Sequence, residues 1–500
     1  MQLRSEGCAI SALHTLGLAV VAVPVVAGGA TQLARTSRAV DTVAAIGALA
    51  SAGVGVALVL ATLLRLDEPL RTGVVTVDAA SAVFLVPIIV VGAASALLSP
   101  PYLNDSKRSF FPAAQARRLY YLAFFWFWAA LLAVPIAGNL GEAWLFVEAT
   151  TAASAMLVAY SGGRHALEAG WKYLVLTTAG LTVALTGIVI VYVAAPAKHH
   201  NLGGLDWTTL SATSHDVPHR TALAAFVLII VGLAAKIGWA PVHNWLPDAH
   251  SEAPPPVSAL LSAALLPAVV LVVWRTTRAL EPAVGTATTH HLLIGFGLLS
   301  LAVAVPFLWR PLAFKRLLAY SSLEHMGVIA LGIGFGSRLA LAGVALHVVG
   351  HALAKALGFY ASIPLLRLQP RSISRPVRGL ARLDPRVAAA LAISLVSLSG
   401  LPPSPLFFSE LFVLLGGFVS GSTVAASLAA GLLALGFLGL VHALIEAMAG
   451  RSTAGPRVRI PTRQIAPVTI VFLIGLVALA AGAIAVPHSS LVEALSRWAG

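Results

Sequence analysis

Residues 232–250 of the chain read GLAAKIGWAPVHNWLPDAH, so a lysine stands near the end of an apolar run and a proline follows five residues later. The apolar run before Lys236 has the length and composition of a membrane-spanning helix. Proline has no amide hydrogen and its ring clashes with the preceding turn, so Pro241 predicts that this helix breaks after Lys236. The stretch therefore places a charged side chain beside broken backbone at membrane depth.

The composition of the whole chain is that of an integral membrane protein. Of its 500 residues, 58% are hydrophobic and only 10% are charged, and the mean hydropathy is +0.90. Apolar stretches of about 20 residues, long enough to cross roughly 30 Å of hydrocarbon as helix, recur about 14 times. We predict an all-α membrane protein with about 14 transmembrane helices, in which residues 1–500 form a single polytopic membrane domain. The N-terminal apolar run is interpreted as the first span rather than as a cleaved signal peptide.

The net charge of +13 is explained by topology rather than by nucleic-acid binding. When the apolar stretches are taken in order, the loops on one side carry 21 of the 32 basic residues, and the other side, with the termini, carries 9. The positive-inside rule then predicts a multi-pass protein of the inner (plasma) membrane with both termini outside the cytoplasm. The two basic residues left inside spans are Lys236 and Lys355.

The single cysteine, Cys8, limits the chemistry that the chain can perform. Iron–sulfur ligation and thiolate zinc sites need several cysteines at fixed spacing. No Walker or dinucleotide glycine motif follows a strand. The sequence predicts no cofactor, no metal and no catalytic residue in this chain.

Ionisable residues inside the apolar stretches carry the functional information. A charged side chain in the bilayer is costly, so it usually faces the bundle interior and has a partner. Four polar residues nearer the ends of spans, His14, Asp78, His442 and Glu446, are interpreted as satisfied or interfacial groups. The candidate functional residues are Glu148, Lys236, Glu324, His325, His347, His351, Lys355 and Glu410.

His347, His351 and Lys355 have the most informative spacing. Steps of four residues keep all three on one face of an α-helix. Histidine titrates near neutral pH, and lysine releases its proton more readily when desolvated. Such a row can pass protons along about two helical turns. The alternative is a set of polar groups that join helices by hydrogen bonds, and the repeated spacing favours the proton relay.

The segment SLSGLPPSPLFFSE, residues 397–410, repeats the proline-marked break of the opening stretch. Gly400, Pro402 and Pro403 interrupt a span shortly before Glu410. Interrupted helices at matching places in two halves indicate an inverted repeat with an ion pathway near the midplane. The two breaks lie five predicted spans apart. We therefore predict two inverted five-helix repeats, over residues 119–278 and 291–447.

Several motifs occur together along nearly the whole chain. They are Glu148 ahead of a threonine pair, K-x4-P-x-H-x-WLPDAH with PVSALL after it, FKRLLAYSS, H-x3-H-x3-K and GLPP. In combination they resemble the antiporter-like subunits of respiratory complex I and its relatives. The segments EAGWKYLVL, LAFKRLLAYSSLEHMGVIALGIGFG and GLPPSPLFFSE look most similar to component F of hydrogenase-4, a membrane subunit of energy-converting NiFe-hydrogenase-like complexes.

The resemblance implies a cofactor-free, proton-translocating subunit that couples redox chemistry in partner membrane subunits to proton transfer. It makes Glu148 the acid that pairs with Lys236, and Lys236 the lysine that switches charge and holds a proton. The further roles it implies are a central relay of His347, His351 and Lys355, a terminal group at Glu410, and a hydrogenase-branch feature at Glu324 and His325. The chain departs from complex I relatives at Ser262, where they place a histidine, so the link from Lys236 to the relay is open.

Two other functions stay open at this point. Relatives of this fold also include cation/proton antiporters and inorganic-carbon uptake systems, which the genes neighbouring this one would distinguish from a redox complex. A structural subunit with a vestigial channel is the second alternative. The intact set of candidate residues argues against decay of the channel.

Overall fold

The computed structural model describes residues 2–66, 68–72, 74–105, 113–196, 202–368, 376–449 and 465–499. Within these ranges the regular structure is almost entirely helical. Two short strands, β1 (Leu70–Arg71) and β2 (Thr76–Val77), form an antiparallel pair. The all-α membrane fold predicted from the hydropathy is confirmed.

The helices follow one another with short connections. In chain order they are α1 (Gln2–Leu33), α2 (Ser37–Leu63), α3 (Ala79–Asp105), α4 (Ala113–Ala133), α5 (Leu140–Val158), α6 (Arg164–Ala194), α7 (Trp207–Thr213), α8 (His219–Ile237), α9 (Leu246–Glu252), α10 (Pro255–Leu260), α11 (Leu266–Val284), α12 (Thr286–Leu308), α13 (Phe314–Phe335), α14 (Arg338–Leu368), α15 (Leu380–Leu383), α16 (Pro385–Leu398), α17 (Pro405–Val419), α18 (Thr423–Ala449), α19 (Ile465–Gly482) and α20 (Ser490–Ala499).

The chain divides into two compact units. The first unit comprises Met1–Ile237, Ala264–His291 and Arg497–Gly500, and the second comprises Gly238–Ala263 and Leu292–Ser496. Among the described helices, 13 segments are long and apolar enough to cross a membrane, and the shorter α16 and α17 flank the predicted break near Gly400. The chain is a multi-pass membrane protein, and the inverted repeats over 119–278 and 291–447 remain a prediction.

Glycines bring α6 and α8 of the first unit close together. A methyl group at Gly232 would lie 2.5 Å from the carbonyl oxygen of Gly180 and 2.5 Å from the amide nitrogen of Ala184. Only a hydrogen fits at that distance, as in membrane helix pairs built on small residues. Lys236 lies one turn after Gly232 and on the same face of α8. The close packing therefore holds Lys236 against α6.

The first helix break lies where Pro241 predicts it. Helix α8 ends at Ile237, Gly238 has a φ of +79° that favours glycine, and irregular backbone continues to α9. The Trp239 indole donates to the Met326 carbonyl at 3.0 Å, and the Ala240 amide donates to Ser300 Oγ at 3.2 Å. Buried side-chain and backbone groups thus hold the opened segment within the second unit.

The second break separates α16 from α17. Gly400 has a φ of +68°, and α17 restarts at Pro405, where Ser404 caps the helix by accepting a hydrogen bond from the Phe407 amide at 3.3 Å. Serine at the cap and proline at the first helical position are the preferred residues for a helix start. Ser409 and Glu410 consequently lie in the second turn of α17.

The structure corrects the inventory of basic residues inside the helices. The sequence leaves only Lys236 and Lys355 there, but α11 extends to Val284 and buries Arg275, which is 2% exposed. Arg275 donates to Asp78 at 2.9 Å, to Ser81 Oγ at 2.8 Å and to the Pro135 carbonyl at 2.9 Å. The carboxylate that the sequence reads as a satisfied polar group is therefore the partner of a buried arginine.

Candidate functional site

Lys236 lies fully buried in the first unit among hydroxyl groups. Its ammonium donates to Thr151 Oγ1 on α5 and to the Tyr173 hydroxyl on α6, both at 2.7 Å. The nitrogen also lies 4.8 Å from the centre of the Tyr173 ring, within the range of a cation–π contact. Helices α5 and α6 therefore supply the hydrogen-bond acceptors that a buried lysine needs.

The hydrogen bonds around Tyr173 have a definite direction. Ser154 Oγ donates to the Thr150 carbonyl at 2.5 Å, which uses its one hydrogen. Ser154 therefore accepts from the Tyr173 hydroxyl, 2.8 Å away, and the tyrosine oxygen in turn accepts from Lys236. The result is a directed chain of three side chains from Lys236 to α5.

Glu148 does not contact Lys236 directly. One carboxylate oxygen accepts from Thr178 on α6 at 3.1 Å, and the other is buried without a hydrogen-bond partner among the residues that the structure describes. No ion pair joins Glu148 to Lys236 in this part of the chain, although the charge of Glu148 acts on the lysine through space. The structure corrects the direct pairing implied by the resemblance, because hydroxyl groups occupy both positions around the ammonium.

His347 links three helices of the second unit. Its Nε2 lies 3.2 Å from His325 Nδ1 on α13, and its Nδ1 lies 2.8 Å from Ser409 Oγ on α17. Ser409 donates its hydroxyl hydrogen to the Leu406 carbonyl at 2.8 Å, so it accepts from His347. The neutral His347 ring thus carries its hydrogen on Nδ1, and its Nε2 accepts from His325.

His351 and Lys355 continue the row along α14. The His351 ring is 6.2 Å from that of His347 and 5.1 Å from that of His325, and neither of its nitrogens has a hydrogen-bond partner in the described ranges. Lys355 is fully buried and donates to the Leu318 carbonyl at 2.6 Å and to Ser321 Oγ. The predicted spacing therefore produces one polar face, which is directed toward α13.

The two carboxylates of the second unit lie against glycines. A methyl group at Gly436 on α18 would come within 1.9 Å of Glu324 Oε1, and one at Gly400 would come within 2.6 Å of Glu410 Oε2. Glu324 is 3% exposed, and its second oxygen has no hydrogen-bond partner among the described residues. The glycines make the space that each carboxylate occupies.

Ser262 lies within a single π-helical turn, Leu261–Leu265, between α10 and α11. Its hydroxyl is 2.8 Å from Ser322 Oγ, and Ser322 donates to the Leu318 carbonyl at 2.9 Å. Ser262 therefore donates to Ser322. Isolated π turns are frequent at functional sites, and here the residue that replaces the family histidine joins the hydroxyl groups next to Glu324.

Sequence reasoning missed several groups that the structure places in these sites. Tyr173 and Thr151 bind Lys236, and Ser409 binds His347. His250 is fully buried beside the Phe359 ring, with neither ring nitrogen hydrogen-bonded to any described residue. Its position inside the WLPDAH motif is the signal that could have drawn attention to it.

Three of the residues read as ordinary polar groups have partners. Besides Asp78, Glu446 forms an ion pair with Arg378, and the exposed His442 stacks on Trp309 with ring centres 6.2 Å apart. None of these contacts reaches the candidate residues described above. The structure thus separates surface and interfacial polar groups from the buried row.

The sequence has clear relatives. Residues 137–437 match the family described as NADH:quinone oxidoreductase/Mrp antiporter, TM. A hydrogenase-4 component F homolog of Methylacidiphilum infernorum is 31% identical over 72% of this chain and 76% of its own length. NADH-quinone oxidoreductase subunit N of Desulforudis audaxviator is 31% identical over 76% of this chain and 75% of its own length.

The fold has solved counterparts that cover almost the whole chain. A chain of the archaeal membrane-bound sulfane sulfur reductase matches with a TM-score of 0.81 at 20% identity, covering 96% of this chain and 97% of that one. A chain of the Mrp complex from Dietzia sp. matches with a TM-score of 0.80 at 19% identity and the same coverage. A chain of Thermus thermophilus respiratory complex I matches at 0.78 and 22% identity, over 97% and 100%. With its motifs, its fold and its relatives in agreement, the chain belongs to the NADH:quinone oxidoreductase/Mrp antiporter family of membrane proteins.

Proposed function

We propose that this chain is the proton-translocating, antiporter-like subunit of a complex related to respiratory complex I or to the group 4 NiFe-hydrogenases. The observation that carries the proposal is the set of buried titratable side chains joined by directed hydrogen bonds, one group around Lys236 and one around His347. Buried ionisable groups in membrane helices are costly and mark ion or proton pathways. The redox reaction and its cofactors belong to partner subunits.

In the first unit, Lys236 holds the proton and Glu148 controls it. The carboxylate acts on the ammonium through space, so a change in the protonation or position of Glu148 alters the proton affinity of the lysine. Thr151 and Tyr173 have oxygens that accept hydrogen bonds from either form of the amine. The lysine can therefore change charge without losing its place in the structure.

In the second unit, His325, His347, His351 and Lys355 form the relay. The His325–His347 hydrogen bond is a ready path for one proton between α13 and α14. The His351 ring lies between His347 and Lys355 in sequence and makes no hydrogen bond to the described residues, so it is free to rotate or to bind water. Glu410 follows Ser409 on α17 and is the terminal group of this row.

The partners are other membrane subunits of such a complex. The similar proteins are named as a hydrogenase-4 component and as a subunit of NADH-quinone oxidoreductase, and each of the three structural counterparts belongs to a complex. A Na(+)/H(+) antiporter protein of Alkalihalophilus pseudofirmus is 25% identical over 65% of this chain, which is a weaker match. Purification of the tagged complex and identification of the co-purifying subunits would distinguish a redox complex from a cation/proton antiporter.

The predicted topology can be tested with reporter fusions. A reporter fused after Arg382 in α15 is expected on the cytoplasmic side, because the loops of that side carry most of the basic residues. A reporter fused after α20 is expected on the opposite side. Paired alkaline phosphatase and green fluorescent protein fusions measure this directly. If both positions report the same side, the number of crossings between them is not the odd number predicted.

Substitutions of the two relay histidines should have unequal effects. We expect His347→Gln to reduce proton uptake by at least about tenfold, because it removes a positioned proton-transfer group. His351→Gln should cost less, because His351 makes no hydrogen bond to the described residues and water can fill its place. The measurement is redox-driven proton uptake in vesicles that hold the assembled complex, with His442→Gln as the matched control. Normal uptake by an assembled His347→Gln complex would remove His347 from the pathway.

A further inference from the structure

A cluster of potential metal ligands lies at the junction of α13, α14 and α17 in the second unit. One ligand atom from each of His325, His347 and Glu410 lies within 4.8 Å of the others. The two histidines are 1% and 0% exposed, and the glutamate is half-buried. The sequence predicts no metal site, because the three residues belong to separate helices and have no ligand spacing in common.

The two imidazoles already have the separation that a small metal ion requires. His325 Nδ1 and His347 Nε2 are 3.2 Å apart. Two nitrogens bound to a tetrahedral zinc ion at about 2.0–2.1 Å are about 3.3 Å apart. An ion could therefore take the place of the shared hydrogen without a large movement of either ring, and Glu410 would need only a change of side-chain rotamer.

The surroundings of His347 match those of a metal-binding histidine. Its Nδ1–H donates to Ser409 Oγ, which leaves a lone pair on Nε2, directed at His325. Metal-bound histidines commonly donate their second ring hydrogen in this way, and the contact fixes both tautomer and orientation. Ser409 is itself fixed by its bond to Leu406, so the site is oriented before any ion binds.

Charge and a further ligand are also present. Glu324 interacts electrostatically with Glu410, so two carboxylates lie near enough to offset much of the charge of a divalent ion. The His351 ring centre is 5.1 Å from that of His325, and neither of its nitrogens is hydrogen-bonded to a described residue. His351 or a water molecule can complete a tetrahedral shell.

We propose that His325, His347 and Glu410 form a binding site for a divalent transition-metal ion, with Zn²⁺ the best match. Two imidazoles and one carboxylate suit zinc, whereas Mg²⁺ and Ca²⁺ prefer oxygen ligands alone. On binding, the hydrogen on His325 Nδ1 moves to Nε2 of the same ring, so both histidines stay neutral. The bound ion replaces the His325–His347 hydrogen bond. The site is independent of the proposed function, since binding requires only these side chains.

The test uses Co²⁺ as a spectroscopic probe of the full-length chain, purified in detergent with a tag that contains no histidine and freed of metal with a chelator. We expect one equivalent of Co²⁺ to produce the intense visible bands of tetrahedral coordination, and Zn²⁺ to displace it. His347→Gln and Glu410→Gln should abolish the bands, whereas His442→Gln, which alters a histidine outside the cluster, should keep them.

Ser409→Ala separates binding from folding, because it retains all three ligands. Loss of the contact to His347 should weaken Co²⁺ binding by about tenfold or more without removing it. Size-exclusion chromatography of each variant checks that the fold is intact. An unmodified chain without tetrahedral Co²⁺ bands, or unchanged bands in a folded His347→Gln variant, would overturn the proposal.

Discussion

Lys236→Met is expected to reduce redox-driven proton uptake by about 100-fold or more, because it deletes a group that can hold and release a proton. Methionine keeps most of the volume and the apolar stem of lysine, so α8 should still pack against α6. The hydroxyls of Thr151 and Tyr173 lose their donor. Tyr173 keeps its bond to Ser154, which limits the structural cost. Proton uptake in vesicles, with assembly followed by native electrophoresis, measures the effect.

Two further substitutions make this result specific. Lys236→Arg keeps a charge but does not release protons near neutral pH, so it should lose nearly as much uptake as methionine. Lys172→Met makes the same change at an exposed lysine on α6 that pairs with Glu168, and it should leave uptake unchanged. If Lys236→Met assembles and takes up protons normally, the buried lysine is structural and the proposed pathway does not use it.

Arg275→Met is expected to destabilise the protein by about 3–5 kcal/mol, because it leaves a buried carboxylate without its counter-charge. Arg275 is 2% exposed and binds Asp78, Ser81 and the Pro135 carbonyl, which tie α11 to α3 and to the segment that precedes α5 in the first unit. Asp78 is 4% exposed. The time course of thermal inactivation, followed as loss of monodisperse protein in detergent, measures the change.

A double variant distinguishes a lost ion pair from lost packing. Replacing a buried pair by apolar residues of similar size is often neutral or stabilising, so Asp78→Leu combined with Arg275→Met should recover much of the stability. The exposed Arg65–Glu68 pair supplies the control, since surface ion pairs contribute about 0–1 kcal/mol. Equal stability of the Arg275→Met single variant and the unmodified chain would show that Asp78 does not depend on the arginine.

Much of the fold was accessible from the sequence because its signals are local. A run of about 20 apolar residues specifies a spanning helix wherever it occurs. Pro241 and Gly400 mark the breaks, since the missing amide and the permitted positive φ act on their own turns. The spacing of His347, His351 and Lys355 likewise fixes their common face. The family followed from motifs that are specific in combination.

The partners of the buried groups could not be read from the sequence, because periodicity shows which face a residue occupies but not what that face meets. Lys236 was expected beside Glu148 and instead binds Thr151 and Tyr173. Arg275 was counted with a loop, yet it is buried against Asp78, 197 positions away in the chain.

The sequence by itself determined that this protein is a bundle of membrane helices with two breaks and a row of titratable groups. Only the tertiary structure decided how those groups are connected. His325, His347 and Ser409 lie on three helices, and their hydrogen bonds depend on the rotation and separation of those helices. Close packing at small residues sets that geometry, as Gly232 does for Lys236 and Gly436 does for Glu324. Such contacts arise between segments far apart in the chain, so no local pattern encodes them.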